Sequence, residues 1–195
     1  MTDKNVSIMN IGSMGYLPQV FKKIENEKKL NIVYLGGSIT MGCNATKTEL
    51  RYVDRSAKWW RTNFPEAEIS YFNAGIGATT SQFGVARVQE HVLDKQPDLV
   101  FVEFSVNDSS SPLFMETYES LVRRLLKAES VKAVVLINNL FYDTGTNSQG
   151  IHNAIGLHYD LPIVSVRNYI FPEIQLGNVC LADYTADMLH PTDLG

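Results

Sequence analysis

The chain has 195 residues, 45% hydrophobic and 19% charged, with 21 acidic against 17 basic side chains and a formal net charge of −4. That length suffices for one domain burying about 70% of its unfolded surface, and the composition is that of a folded chain without disordered tracts. The acidic balance excludes a protein whose affinity comes from neutralising phosphates, and no run approaches the ~20 apolar residues of a membrane span, so neither nucleic acid nor membrane is expected as a partner.

Leu17, Val20, Phe21 and Ile24 recur at i, i+3, i+4 and i+7, which predicts an amphipathic helix feeding the first core strand. Lys22 to Lys29, interrupted by Glu25 and Glu27, reads as a solvated helix face. The run Ile32-Val33-Tyr34-Leu35 is apolar on both faces, as in a central strand of a parallel sheet. It leads into Gly36-Gly37-Ser38-Ile39-Thr40, where two glycines allow a sharp turn that exposes the Ser38 hydroxyl. Val53, Ala57, Trp60 and Phe64 form a helical face stopped by Pro65, with both tryptophans expected in packing. Ile69 to Phe72 reads as a second strand ending in the Gly-rich segment Asn73 to Thr79.

A helix carrying Val85, Val88 and Val92 then leads to a third buried strand, Asp98 to Phe104, which ends at Ser105-Val106-Asn107-Asp108. Tyr118, Leu121, Val122, Leu125 and Leu126 share one helix face before the strand Ala133 to Ile137. Ile151, Ala154, Ile155 and His158 suggest another helix, followed by a short strand at Ile163-Val164. Right-handed crossovers turn this succession into a three-layer αβα sandwich around a five-stranded parallel sheet. One domain over 1–195 is expected, with 1–30 as a helical lead-in. The sequence stops five residues after His190, where a capping helix would begin, so the natural chain is expected to continue beyond 195.

Cys43 and Cys180 are too few for a disulfide framework and lack metal-knuckle spacing, so both read as free thiols. Met1 to Asn5 lacks the organisation of a signal peptide, which points to a cytoplasmic protein. The acceptor pattern Asn44-Ala45-Thr46 then carries no weight.

Asp187-Met188-Leu189-His190 places an acid three residues before an imidazole. In a tight loop that offset lets the carboxylate fix the ring's tautomer, so that the other nitrogen can take a proton from a serine. Donors for an oxyanion are available from the backbone N–H of Gly77 or Ala78 and from the Asn107 amide. His158 reads as a core or boundary residue on the apolar side of its helix. His91 and His152 have no carboxylate or cysteine at ligand spacing, so no metal and no cofactor are expected. Tyr142 and Asp143 are weaker candidates for lining a substrate pocket, and Arg51, Tyr52 and Arg87 weaker still.

Taken together, four segments resemble the sequence blocks of the SGNH hydrolases, also called GDSL esterases or lipases. Gly36-Gly37-Ser38 matches the Gly-Asp-Ser block, and the second-block glycine falls within Asn73 to Thr79. Ser105 to Asp108 matches Gly-x-Asn-Asp, and Asp187 to His190 matches Asp-x-x-His. The resemblance implies a flavodoxin-like fold, Ser38 as nucleophile, His190 as general base and acid, and Asp187 as its orienter. It also implies an oxyanion hole built from the Ser38 N–H, a second-block N–H and Asn107.

Three positions depart from the family pattern: Gly37 for aspartate, Ser105 for glycine, and Ala78 where a glycine is usual. The backbone donor at 78 survives if the dihedrals there suit alanine. The wording of the first and third blocks looks most like a bacterial branch of carbohydrate O-acetyl esterases. The expected function is removal of short acyl groups, acetyl above all, from a small-molecule or oligosaccharide ester through a covalent acyl-enzyme. The alternatives are a thioesterase or lysophospholipase with the same triad, and a non-catalytic carbohydrate-binding relative.

Overall fold

The computed structural model describes residues 3–13 and 15–195. Met1 and Thr2, which open the stretch read for a leader and the expected lead-in, lie outside the described residues. The lead-in holds a 3-10 turn at Lys4–Ser7, strand β1 (Ile8–Asn10) and helix α1 (Leu17–Glu27). Next come β2 (Lys29–Gly36), α2 (Ser38–Met41), α3 (Tyr52–Asn63), β3 (Glu68–Gly75), α4 (Ser81–His91) and β4 (Leu99–Glu103). The chain continues through α5 (Pro112–Leu126), β5 (Ala133–Asn138), α6 (Gln149–His158), β6 (Ile163–Ser165), α7 (Val166–Gln175) and α8 (Leu181–Tyr184).

The sheet has six strands in the order β1-β6-β5-β4-β2-β3. Strands β2 to β6 are the five parallel strands that the apolar runs predict, and β1 adds an antiparallel edge strand against β6. The lead-in is therefore part strand, a correction to its purely helical reading.

The two faces of the sheet bury separate clusters, which explains why β2 reads as a continuous apolar run. Val33 and Leu35 join Val88, Val102, Phe104 and Leu121 under α4 and α5. Ile32 and Tyr34 point the other way, to Val20, Ile24, Val53 and Trp60 of α1 and α3. Trp60 is buried, but Trp59 is half-exposed, its ring edge-on to Trp60 at 5.1 Å, so only one of the two tryptophans serves the core.

Strand β2 has β3 on one side and β4 on the other, although β3 follows it directly in sequence. The winding direction changes there. In doubly wound sheets the crevice at such a switch point, outside the strand C-termini, is where ligands bind. The loops after β2, β3 and β4 carry Ser38, Gly77 and Asn107. Among the described residues no helix is long and apolar enough to cross a membrane.

Candidate active site

The buried run of β2 ends at Gly36, and Ser38 opens the one-turn helix α2. Its backbone N–H lies in the first turn, where no intrahelical acceptor exists. The residue is only 7% exposed, which corrects the expectation of an open hydroxyl, and Ser38 Oγ lies 2.7 Å from His190 Nε2.

His190 is held by a loop that the chain builds for that purpose. Asp187 Oδ1 accepts the N–H groups of Leu189 at 3.0 Å and of His190 at 2.7 Å, while Asp187 Oδ2 lies 2.7 Å from His190 Nδ1. Met188 adopts the left-handed region (φ 66), its carbonyl accepts the Tyr142 N–H at 2.8 Å, and a bridge between Thr185 and Pro191 closes the base of the loop. Desolvation would raise the Asp187 pKa, but the hydrogen bonds from the His190 ring and from the His190 and Leu189 N–H groups outweigh it. They hold this carboxyl well below the usual carboxylate range. An ionised Asp187 accepting the Nδ1 proton leaves Nε2 free to accept the Ser38 hydroxyl proton.

Two further contacts on Asp187 were not legible in the sequence. Asn44 donates from Nδ2 to Oδ2 at 3.3 Å, and Thr185 donates from Oγ1 to Oδ1 at 3.3 Å. The signal for Asn44 lies in its backbone: φ is 69, a conformation asparagine tolerates better than most residues.

The other two strand-end loops reach the same place. A Cβ on Gly77 would lie 3.9 Å from Ser38 Cβ, so the loop after β3 runs beside the serine. Ala78 sits at φ 56, a conformation that suits glycine and costs an L-residue about 1 kcal/mol. The alanine therefore keeps the backbone course a glycine would follow, at the expense of strain. From β4, the Asn107 side chain packs onto Gly37, where an added Cβ would lie 2.5 Å from Oδ1. Glycine at position 37 leaves room for this packing, and a side chain there would require the Asn107 amide to shift. Ser105, the other departure, is fully buried and donates from Oγ to the Asn139 carbonyl at 3.1 Å, tying the loop after β4 to the end of β5.

Several expected residues are not brought to the site. Tyr142 is 2% exposed and packs with Leu140 and Ile170, so it is a packing residue and not a pocket wall. Asp143 is exposed and accepts the N–H of Thr144 at 2.8 Å within its own turn. Arg51 and Tyr52 line a cleft with Ile39, Arg55 and Pro191 beside the His190 loop, whereas Arg87 is buried. His158 is exposed and stacks edge-on against Tyr159, a correction to its core reading. His152, read as unpartnered, is fully buried with Nε2 3.0 Å from Asp108 Oδ2. Cys43 and Cys180 are free thiols, and no cluster of metal-binding side chains occurs among the described residues.

Comparison with known proteins places the chain in a family. The solved structure of CEX, a two-domain esterase active on acetylated mannans and co-crystallised with mannopentaose, superposes with a TM-score of 0.97 at 45% identity. All of this chain is covered but only 53% of that one, so the chain spans about half its length. A catalytic mutant of Axe2, an acetylxylan esterase from Geobacillus stearothermophilus, shares the fold at 18% identity and a TM-score of 0.69, over 85% of this chain and 88% of that one. LAE5, an alpha/beta hydrolase from the metagenome of Lake Arreo in Spain, does so at 20% identity and a TM-score of 0.68, over 83% and 87%. No curated protein matches the chain significantly. The model of the GDSL-like lipase/acylhydrolase family matches residues 34–195, a span that holds Ser38, Asn107, Asp187 and His190, and the chain belongs to that family.

Proposed function

We propose that this chain is a serine esterase that removes acetyl groups from carbohydrate esters. The observation that carries the reading is the relay of two 2.7 Å contacts, from Ser38 Oγ to His190 Nε2 and from His190 Nδ1 to Asp187 Oδ2. Ser38 Oγ attacks the acetyl carbonyl while His190 Nε2 takes its proton, and Asp187 stabilises the imidazolium that forms. His190 then gives that proton to the departing sugar hydroxyl. Water, deprotonated by the same nitrogen, attacks the acetyl-Ser38 ester and releases acetate.

The tetrahedral oxyanion is held by the Ser38 N–H, a backbone N–H from Gly77 or Ala78, and the Asn107 amide. Each of these lies on a different strand-end loop, so the hole depends on their mutual placement. The preference for acetyl on a mannan-like oligosaccharide rests on the 45% identity with the mannan-active esterase over the whole of this chain.

The reading is tested by acetate release from acetylated manno-oligosaccharides, comparing wild type with Ser38→Ala. Wild type is expected to release acetate, and the variant to lose at least about 10⁴-fold in kcat, as for other nucleophiles of such triads. Equal rates in the two proteins would sink the assignment.

A further inference from the structure

Asp108 lies next to Asn107 in sequence, yet its side chain faces away from solvent, into the core, and touches a different set of elements. Its Oδ1 accepts the N–H of Ser81 at 2.8 Å. Ser81 is the first residue of α4 and follows directly on the loop that carries Gly77 and Ala78. Its Oδ2 lies 3.0 Å from His152 Nε2 on α6, both side chains being 0% exposed. The Asp108 carbonyl accepts the hydroxyl of Ser148, and the Ser148 N–H donates to the Ser105 carbonyl at 2.7 Å. One carboxylate thus joins the loop after β4, the loop after β3 and helix α6.

His152 is fixed just as firmly. Its ring stacks on Tyr118 with centroids 3.6 Å apart and planes 6° from parallel. Burial lowers its pKa against the upward pull of Asp108, so the imidazole is neutral and Nε2–H donates to the carboxylate. Among the described residues neither His152 Nδ1 nor the Tyr118 hydroxyl has a hydrogen-bond partner. Replacing a buried polar pair by apolar side chains of similar volume is often neutral or stabilising, so stability alone is a weak reason to keep a carboxylate, two orphaned polar atoms and an imidazole together in a core.

We propose that Asp108 and His152 are positioning residues that set the two loop-borne arms of the oxyanion hole, Asn107 and the Gly77/Ala78 N–H, relative to each other. The inference rests on the esterase reading. It requires the effect of His152 on turnover to pass through the donors it places, a coupling that a residue important only for folding would not produce.

The test is a double-mutant cycle on 4-nitrophenyl acetate hydrolysis. His152→Phe keeps a ring against Tyr118 but cannot donate to Asp108. It is expected to lower kcat about 30-fold with KM changed less than about threefold, a fraction of the loss from deleting an oxyanion donor outright. His152→Gln, whose amide N–H reaches the same carboxylate, is expected to return kcat to within about threefold of wild type. In an Asn107→Ala background, His152→Phe is expected to cost less than about fivefold, because one donor it places is already gone. If thermal melting shows that the phenylalanine variant does not fold, the same cycle is run with Asp108→Asn, which keeps an acceptor for Ser81, and the same coupling is expected. A full ~30-fold loss in the Asn107→Ala background, or no recovery with glutamine, overturns the inference while leaving the esterase reading intact. A wild type that hydrolyses no ester overturns both.

Discussion

Glu103 ends β4 with its side chain fully buried, and its Oε2 accepts the hydroxyl of Thr40 at 3.1 Å from within the same turn as Ser38. Burial raises its pKa to about 7, although Asn139, Thr40 and the Gly37 N–H pull it down. The sign of the linkage follows from the free value of 4.5. Between pH 4.5 and 7 the folded state keeps a proton that the unfolded chain has lost, so this group's contribution to stability declines as pH rises through that window. The loss amounts to roughly 3 kcal/mol, and Glu103→Gln does not undergo it. Urea unfolding at pH 5 and pH 8 should show the variant gaining on wild type at the higher pH, and a stability difference that is the same at both would refute this. At the next strand end, Ala78→Gly removes the left-handed strain and, after the entropy of a freer unfolded chain, should change stability by less than about 1 kcal/mol in either direction. A loss above 2 kcal/mol would mean that the alanine methyl is packed and not merely tolerated.

Helix α4 supports the site through Arg87, whose guanidinium donates to the Ala74 carbonyl at 2.7 Å and to the Gly36 carbonyl at 3.2 Å, at the ends of β3 and β2. Burial lowers its pKa to about 10, which leaves it charged at neutral pH. Arg87→Met should cost about 2–3 kcal/mol in denaturant unfolding, and Arg87→Lys should recover less than half, because a single ammonium cannot reproduce the fork. A methionine variant within 0.5 kcal/mol of wild type would contradict that role. The elements themselves were legible where burial imposed a pattern: β2, β4 and β5 are covered on both faces and read as unbroken apolar runs. Strand β1 was not, since its three residues are largely exposed and carry no periodicity. The phase of α6 was misread for a related reason. Of the apolar template Ile151, Ala154, Ile155 and His158 only Ile155 is buried, and its buried companions are His152 and Gly156. The face laid on the sheet is marked by Gly156, where a Cβ would come within 2.6 Å of Ile163 Cδ1, and a glycine gives no hydrophobic signal.

At the scale of the molecule, the site exists because the sheet changes winding direction at β2, bringing the ends of β2, β3 and β4 side by side. Ser38, Asp187, His190 and Asn107 could be named from sequence only by taking four segments together and by their resemblance to one family's blocks, since each segment alone also reads as an ordinary turn. Asp108 and His152 could not be paired, being 44 residues apart with no local signature, and the burial of Tyr142 depended on packing by α7. If the molecule is an acetyl esterase, hydrolysis of nitrophenyl esters should fall with acyl length, and activity rising beyond hexanoate would favour the thioesterase or lysophospholipase alternative. Whether Ser38 is a nucleophile activated by His190 can be read by intact-protein mass spectrometry after exposure to a small fluorophosphonate. A single adduct is expected, mapped to Ser38 by peptide analysis and formed at least about 10³-fold more slowly in His190→Ala. No adduct, an adduct on another residue, or an unchanged rate in the histidine variant would contradict this role for Ser38.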